Sequence, residues 1–162
     1  MKLRIKKLHE DAKIPVYANP GDAGMDLFSI TDYELKPGER KLIGTGLAFE
    51  IPSGYEMQLR PRSGLALKHG ISLVNTPGTV DSGYRGEVGL IVINHGEEIF
   101  KINRGDKIAQ AVLNKIEFAE LEEVLDLSIS ERNSGGFGSS GNEWWNWKII
   151  WWKLGNESWR SW

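Results

Sequence analysis

The 162-residue chain contains no cysteine, which removes disulfides, thiolate metal sites and a cysteine nucleophile together. Histidine is nearly as scarce. His9, His69 and His95 are the only three, and they do not make the spaced ligand set of a zinc centre. No apolar run approaches the length of about 18 residues that a transmembrane helix requires. Neither sign of charge dominates: 20 Lys and Arg against 22 Asp and Glu leave a net charge of −2. A broad nucleic-acid face needs a basic surplus, so no nucleic-acid partner is expected. The basic start MKLRIKKL lacks the apolar core and cleavage site of a secretory signal, and a cytoplasmic location is expected. Tryptophan is missing from the first 142 residues, and all seven lie from Trp144 to Trp162.

Hydrophobic residues make up 40% of the chain and charged residues 26%, the balance of a folded domain rather than a disordered one. The length corresponds to one domain, large enough to bury roughly 70% of the surface its unfolded chain exposes. Glycine and proline punctuate the body every eight to twelve residues, as at Pro37-Gly38, Pro52, Gly70, Pro77-Gly78, Gly96 and Gly105. Between them lie short strand-like stretches: Lys41–Ile51, Glu56–Arg60, Val88–Asn94 and Ile108–Ile116. Tyr55, Met57 and Leu59 alternate with Glu56, Gln58 and Arg60, the two-residue period of a half-buried strand. This pattern predicts an all-β, jelly-roll-like barrel or sandwich. One short helix is expected over Gly64–His69, capped by Ser63 and ended by a left-handed Gly70. Glu117–Ser130 is acidic and leucine-bearing and fits a final strand plus a connector, with its type left open. Residues 132–142, RNSGGFGSSGN, have the composition of a flexible linker. The expected division is a β-domain over 1–131, a Gly/Ser arm over 132–142, and a Trp-rich extension over 143–162.

Several segments can carry chemistry. In the loop 75–86 (NTPGTVDSGYRG), Pro-Gly and Ser-Gly mark two turns, predicting a hairpin with Thr79, Val80 and Asp81 on its returning arm. Asp81 fits a water-activating carboxylate, although an Asp in such a place often only bonds its own turn. Tyr84 offers a flat wall to a sugar or base, or simple packing. Pro61-Arg62-Ser63-Gly64 opens the predicted helix, where backbone N–H groups and a forked cation suit a phosphate; a capped helix with a surface Arg is the plainer alternative. In Arg132–Ser140, an Arg, an aromatic ring and serines suit a nucleotide, but neither a Walker loop nor a strand–GxGxxG–helix unit is present. Asp26 and Asp106 each read as turn or cap groups, and the tripeptide Arg104-Gly105-Asp106 as a chance occurrence of an adhesion sequence.

Taken in order, AGMDLFS at 23–29, PRSGLA at 61–66, NTPGTVDSGYRGE at 75–87, RGDKIAQ at 104–110 and RNSGGFGSSG at 132–141 resemble the five motifs of the trimeric dUTP pyrophosphatase (dUTPase) family. The resemblance spans about residues 2–142. It implies a homotrimer that converts dUTP to dUMP and pyrophosphate, with sites shared between chains and Mg²⁺ held by substrate phosphates and water. By position, Asp81 corresponds to the general base. Arg62, Ser63 and Gly64 correspond to the phosphate-binding trio, Gln110 to a phosphate-binding amide, and Asn75, Thr79, Val80 and Gly89 to uracil contacts. Tyr84 corresponds to the ring against deoxyribose, and Arg132, Phe137, Gly138 and Ser139 to the closing arm. Asp26 is implied as a contact of a metal-bound water. One departure is Asn133, where the family has Gly after its Arg; Asn tolerates left-handed backbone better than most residues.

The segment EWWNWKIIWWKLGNESWRSW at 143–162 lies beyond the resemblance. It reads as an imperfect amphipathic helix suited to a membrane interface or an aromatic groove of a protein partner, or as an appended or read-through extension, or as a segment packing on the trimer itself. Two other readings of the whole chain stand beside the first. One is a related dCTP deaminase or deaminase–dUTPase, which the glycine-rich fifth motif disfavours. The other is a dUTPase-type trimer used as a scaffold to display the tail.

Overall fold

The computed structural model describes residues 1–139, so the tail 143–162 and its expected helix lie outside the described residues. The chain divides into two units, Met1–Ala119 and Glu120–Trp162. In the first, twelve strands and one short helix follow one another: β1 Arg4–Lys7, β2 Val16–Tyr17, β3 Gly24–Phe28, β4 Tyr33–Leu35, β5 Arg40–Gly44, β6 Leu47–Glu50, β7 Tyr55–Pro61, α1 Ser63–His69, β8 Ile71–Leu73, β9 Gly78–Val80, β10 Gly89–Asn94, β11 Phe100–Ile102 and β12 Lys107–Lys115. The expected mostly-β architecture with one short helix is what forms. The largest sheet runs β2-β3-β12-β7-β9, a second runs β5-β10-β8, and β1-β6 and β11-β4 are pairs.

Alternation decides which way each strand faces. On β7, Met57 and Leu59 are buried while Arg60 is exposed. On β10, Leu90, Val92 and Asn94 point inward. Their inner faces meet Leu27, Leu35, Ile43, Leu47, Phe49 and Ile102 in one hydrophobic core. Asn94 is buried yet fully engaged: Nδ2 donates to the carbonyls of Leu35 and Glu98, and Oδ1 accepts from the Gly96 N–H. A buried amide with every partner in place avoids the cost of about 1–3 kcal/mol for an orphaned polar group, and here it ties β4 and β10 to the turn before β11.

Three expectations are corrected. The stretch Lys41–Ile51 is two strands, because Gly46 takes φ 66° and turns the chain between them. A Cβ there would stand 2.9 Å from those of Ala12 and His9, so the bend depends on glycine. The helix is capped at Arg62 rather than Ser63, and Ser63 is its first residue. The Arg62 carbonyl accepts from Leu65 and Ala66, while no side chain caps the end. Gly70 ends the helix in the left-handed conformation as expected, φ 67°. The loop 75–86 is not a hairpin closed on itself. β9 pairs with β7 and β8 with β10, so the chain crosses from one sheet to the other between them. Glu117–Ser130, whose type the sequence leaves open, forms neither strand nor helix.

In the second unit, residues 120–139 are exposed. Tight turns shape its far end: Gly135 N–H donates to the Arg132 carbonyl and Ser139 N–H to that of Gly136. Asn133 takes the left-handed φ of 43°, the conformation for which Asn substitutes for Gly at least cost.

Candidate active site

β9 delivers a short strand to the edge of the large sheet and then releases the chain into a turn. Tyr84 N–H donates to the Asp81 carbonyl at 3.0 Å, closing that turn. The chain re-enters the second sheet through Val88, whose N–H donates to the Leu47 carbonyl and whose own carbonyl accepts from Thr45 Oγ1 at 2.6 Å. Glu87 Oε1 accepts from the Gly46 N–H at 2.8 Å. Both ends of the segment are therefore anchored to a core that does not move with it. Between them opens a cleft of about 210 Å³ lined by Asn75, Thr79, Val80, Asp81, Tyr84 and Gly89, with Leu59, Glu87 and Val88 beneath and beside them. Six sequence-predicted residues thus share one cleft. Leu59, Glu87 and Val88 were not anticipated. Glu87 is the final letter of the third motif, and its position there was the available signal.

A second cluster forms around Asp26 on β3. Its side chain is only 3% exposed and sits 2.8 Å from Lys107 Nζ and 3.4 Å from Arg62 Nε. Arg62 Nη1 also donates to the Lys107 carbonyl at 3.0 Å. Gln110 faces Asp26 across the β3–β12 ladder, with Nε2 3.5 Å from Oδ1. A carboxylate this buried needs paired cations, and it has two. Arg62 is held in a defined direction beside Ser63 and Gly64, both exposed at the start of α1. Gly64 meets nothing of this chain within 4 Å of an added Cβ, so internal packing does not demand a glycine there. Lys107 went unread in the sequence because its partner, Asp26, lies 81 positions away. Among the described residues no group of three or more His, Cys, Asp and Glu is placed to hold a metal ion.

The two clusters are not brought together within one chain. β9 runs antiparallel to β7 with Val80 opposite Met57 and Gly78 opposite Leu59, so Asp81 leaves the sheet near the Glu56 end while Arg62 stands beyond the Pro61 end. Six residues of strand separate those ends, roughly 20 Å at about 3.3 Å per residue. Reacting groups must come within about 3–3.5 Å. Asp81 and Arg62 of one chain are therefore too far apart along the strand to touch directly. In the second unit, Arg132 Nε donates to the Gly135 carbonyl at 2.9 Å, and Phe137 is fully exposed. Gly138 takes a left-handed φ of 80°, and Ser139 closes the last described turn.

Comparison with known proteins identifies the family. The dUTPase family model matches residues 10–141. A deoxyuridine 5′-triphosphate nucleotidohydrolase of Nautilia profundicola is 60% identical over 87% of this chain and 99% of its own length. The protein of the same name from Trichodesmium erythraeum is 57% identical over similar shares. Among solved structures, the dUTPase of Staphylococcus bacteriophage 80alpha bound to dUPNHPP is 33% identical, covers 86% of this chain and 98% of its own, and superposes with a TM-score of 0.79. A dUTPase from phage phi11 of S. aureus, 31% identical over 78% of this chain with a TM-score of 0.72, coordinates a structural Mg(II) ion. With the motifs, the mostly-β fold and these matches in agreement over nearly the whole body, the chain belongs to the dUTPase family.

Proposed function

We propose that this protein hydrolyses dUTP to dUMP and pyrophosphate as a homotrimer whose sites are each assembled from several chains. The observation that carries this reading is the cleft in which Asp81 lies beside Tyr84 and the exposed edge of β9. A strand edge offers alternating N–H and C=O groups, which suit the acceptor–donor–acceptor edge of uracil. Cytosine presents an amino group there and leaves buried partners unpaired, a loss of about 1–3 kcal/mol. Thr79, Val80, Gly89 and Asn75 line this cleft, and on this reading they pack against the base so that the 5-methyl of thymine is excluded. The Tyr84 ring covers the sugar at C2′ and excludes a ribose hydroxyl.

Asp81 takes a proton from the water that attacks the α-phosphorus; the P–O bond to the β-phosphate breaks and pyrophosphate leaves. Arg62, Ser63, Gly64 and Gln110 of another subunit bind the phosphates, a reading that the separation of about 20 Å along β7 supports. Arg132, Phe137, Gly138 and Ser139 of a third close over the nucleotide. Mg²⁺, if carried by the substrate's phosphates, would supply charge neutralisation there, beside the cations of Arg62 and Arg132. Asp26, already engaged by Lys107 and Arg62, is assigned to orienting those cations before any contact with a water of the metal. Positioning and charge stabilisation supply most of the rate, as in phosphoryl transfer generally.

The test is Asp81→Asn. The purified variant should remain trimeric by light scattering and bind dUTP, with pyrophosphate release lowered by ~10²–10⁴-fold. Near-normal turnover refutes the assignment of Asp81.

A further inference from the structure

We infer that Gly86 is a specificity-determining position that acts through Tyr84, by leaving the space in which the tyrosine ring lies against its own turn. The inference rests on the reading of Tyr84 as the wall at C2′ of the sugar. Tyr84 Oη donates to the Glu87 carbonyl at 2.9 Å, so the side chain folds forward over the two residues that follow it. A Cβ at Gly86 would land on Oη, 2.6 Å from Cζ and 3.0 Å from Cε2. These distances are well inside the 3.5–4.0 Å at which carbon atoms rest. The ring and the methyl group cannot occupy the same place.

The backbone makes this a clean perturbation. Gly86 is not among the glycines with left-handed φ, so alanine is compatible with its conformation, and the three nearest atoms it would meet all belong to the Tyr84 side chain. Tyr84 is 47% exposed, so its side chain has room on the solvent side to move away from an added methyl group. Substitution is therefore expected to leave the fold intact while breaking the bond to the Glu87 carbonyl and moving the ring by an ångström or more. Gly83, in the same turn, meets nothing within 4 Å of an added Cβ and has no left-handed φ. It is the matched control.

A positioning role predicts a change in discrimination rather than in stability. Exclusion of a single hydroxyl by a packed wall gives selectivity on the order of 10². Gly86→Ala should lower the ratio of kcat/KM for dUTP to that for UTP about tenfold or more, with the melting temperature within a few degrees of the parent. Gly83→Ala should leave the ratio unchanged. Tyr84→Ala should lower the ratio at least as far, and adding Gly86→Ala to Tyr84→Ala should change it no further, because the object displaced is gone. Tyr84→Phe, which keeps the ring and removes its anchor, should give a smaller loss. If Tyr84→Ala lowers the ratio and Gly86→Ala does not, or if the two effects add in the double variant, the role of Gly86 is overturned while the reading of Tyr84 stands. If Tyr84→Ala itself leaves the ratio unchanged, the reading of Tyr84 falls and this inference with it. A Gly86→Ala protein that fails to fold also overturns it, because the contact would then extend beyond the ring.

Discussion

Replacing Asp26 by Asn tests how the phosphate-binding half of the site is held. The substitution keeps shape and volume but removes the charge that faces Lys107 Nζ at 2.8 Å and Arg62 Nε at 3.4 Å. Removing one member of a fully buried ion pair typically destabilises by about 3–5 kcal/mol, since the remaining charge is stranded. Here the stranded cations are not fully buried. The side chains of Arg62 and Lys107 are 33% and 39% exposed and recover part of their hydration, which brings the expected loss to about 2 kcal/mol. For a domain of this size that corresponds to a fall in Tm of about 4–8 °C. Arg62 keeps its bond to the Lys107 carbonyl but loses its second fixed point, so its fork is less well directed at a phosphate. Steady-state kinetics should show KM for dUTP raised by up to about tenfold, the factor that 1.4 kcal/mol represents, with kcat less affected. Unchanged Tm and KM would refute the orienting role. A collapse of kcat at constant KM and constant Tm would place the carboxylate at the reacting phosphate, through a metal-bound water.

Three further outcomes follow from the same geometry. Truncation after Glu131 should abolish most turnover while preserving the trimer, because the arm carries Arg132 and Phe137 but residues 120–139 are exposed; single-turnover kinetics beside light scattering decides, and a full-length rate refutes the closing role. Mixed trimers of Asp81→Asn and Arg62→Ala chains should recover activity that neither variant has alone, because complementary half-sites meet between subunits; failure to recover any would mean that each chain serves its own substrate. Deleting residues 143–162 should preserve kcat/KM and remove all tryptophan fluorescence, since every tryptophan lies in that segment; loss of activity would make the extension part of the enzyme.

How much of this was legible in the sequence depends on whether the signal was local. The alternation of Tyr55, Met57 and Leu59 gave β7 its facing without help from the rest of the chain, and Gly70 announced the end of α1 because few other residues accept its φ. The partner of a strand is not local information. Thr79, Val80 and Asp81 looked like one arm of a hairpin, and only the burial of Val80 against the β7 side of the sheet, with Ile71 and Leu73 turned into the other, separates β8 from β9. Ser63 looked like a cap because Ser is a common one. The actual cap, Arg62, is fixed by contacts with Asp26 and Lys107, 36 and 45 positions distant.

The same limit governs the site. The motifs at 61–66 and 75–87 are close in sequence, which invites the idea that they meet. The antiparallel register of β7 and β9 carries them to opposite ends of one strand pair instead. Nearness along the chain therefore becomes separation in the fold, and two different clusters stand at two ends of the same sheet. On the proposed reading, a subunit built this way completes a site by association. Arg132, exposed and bonded through Nε to its own turn, and the exposed Phe137 extend the argument, because on the proposed reading both are placed to meet a neighbour's nucleotide. The mixed-trimer experiment tests that dependence directly.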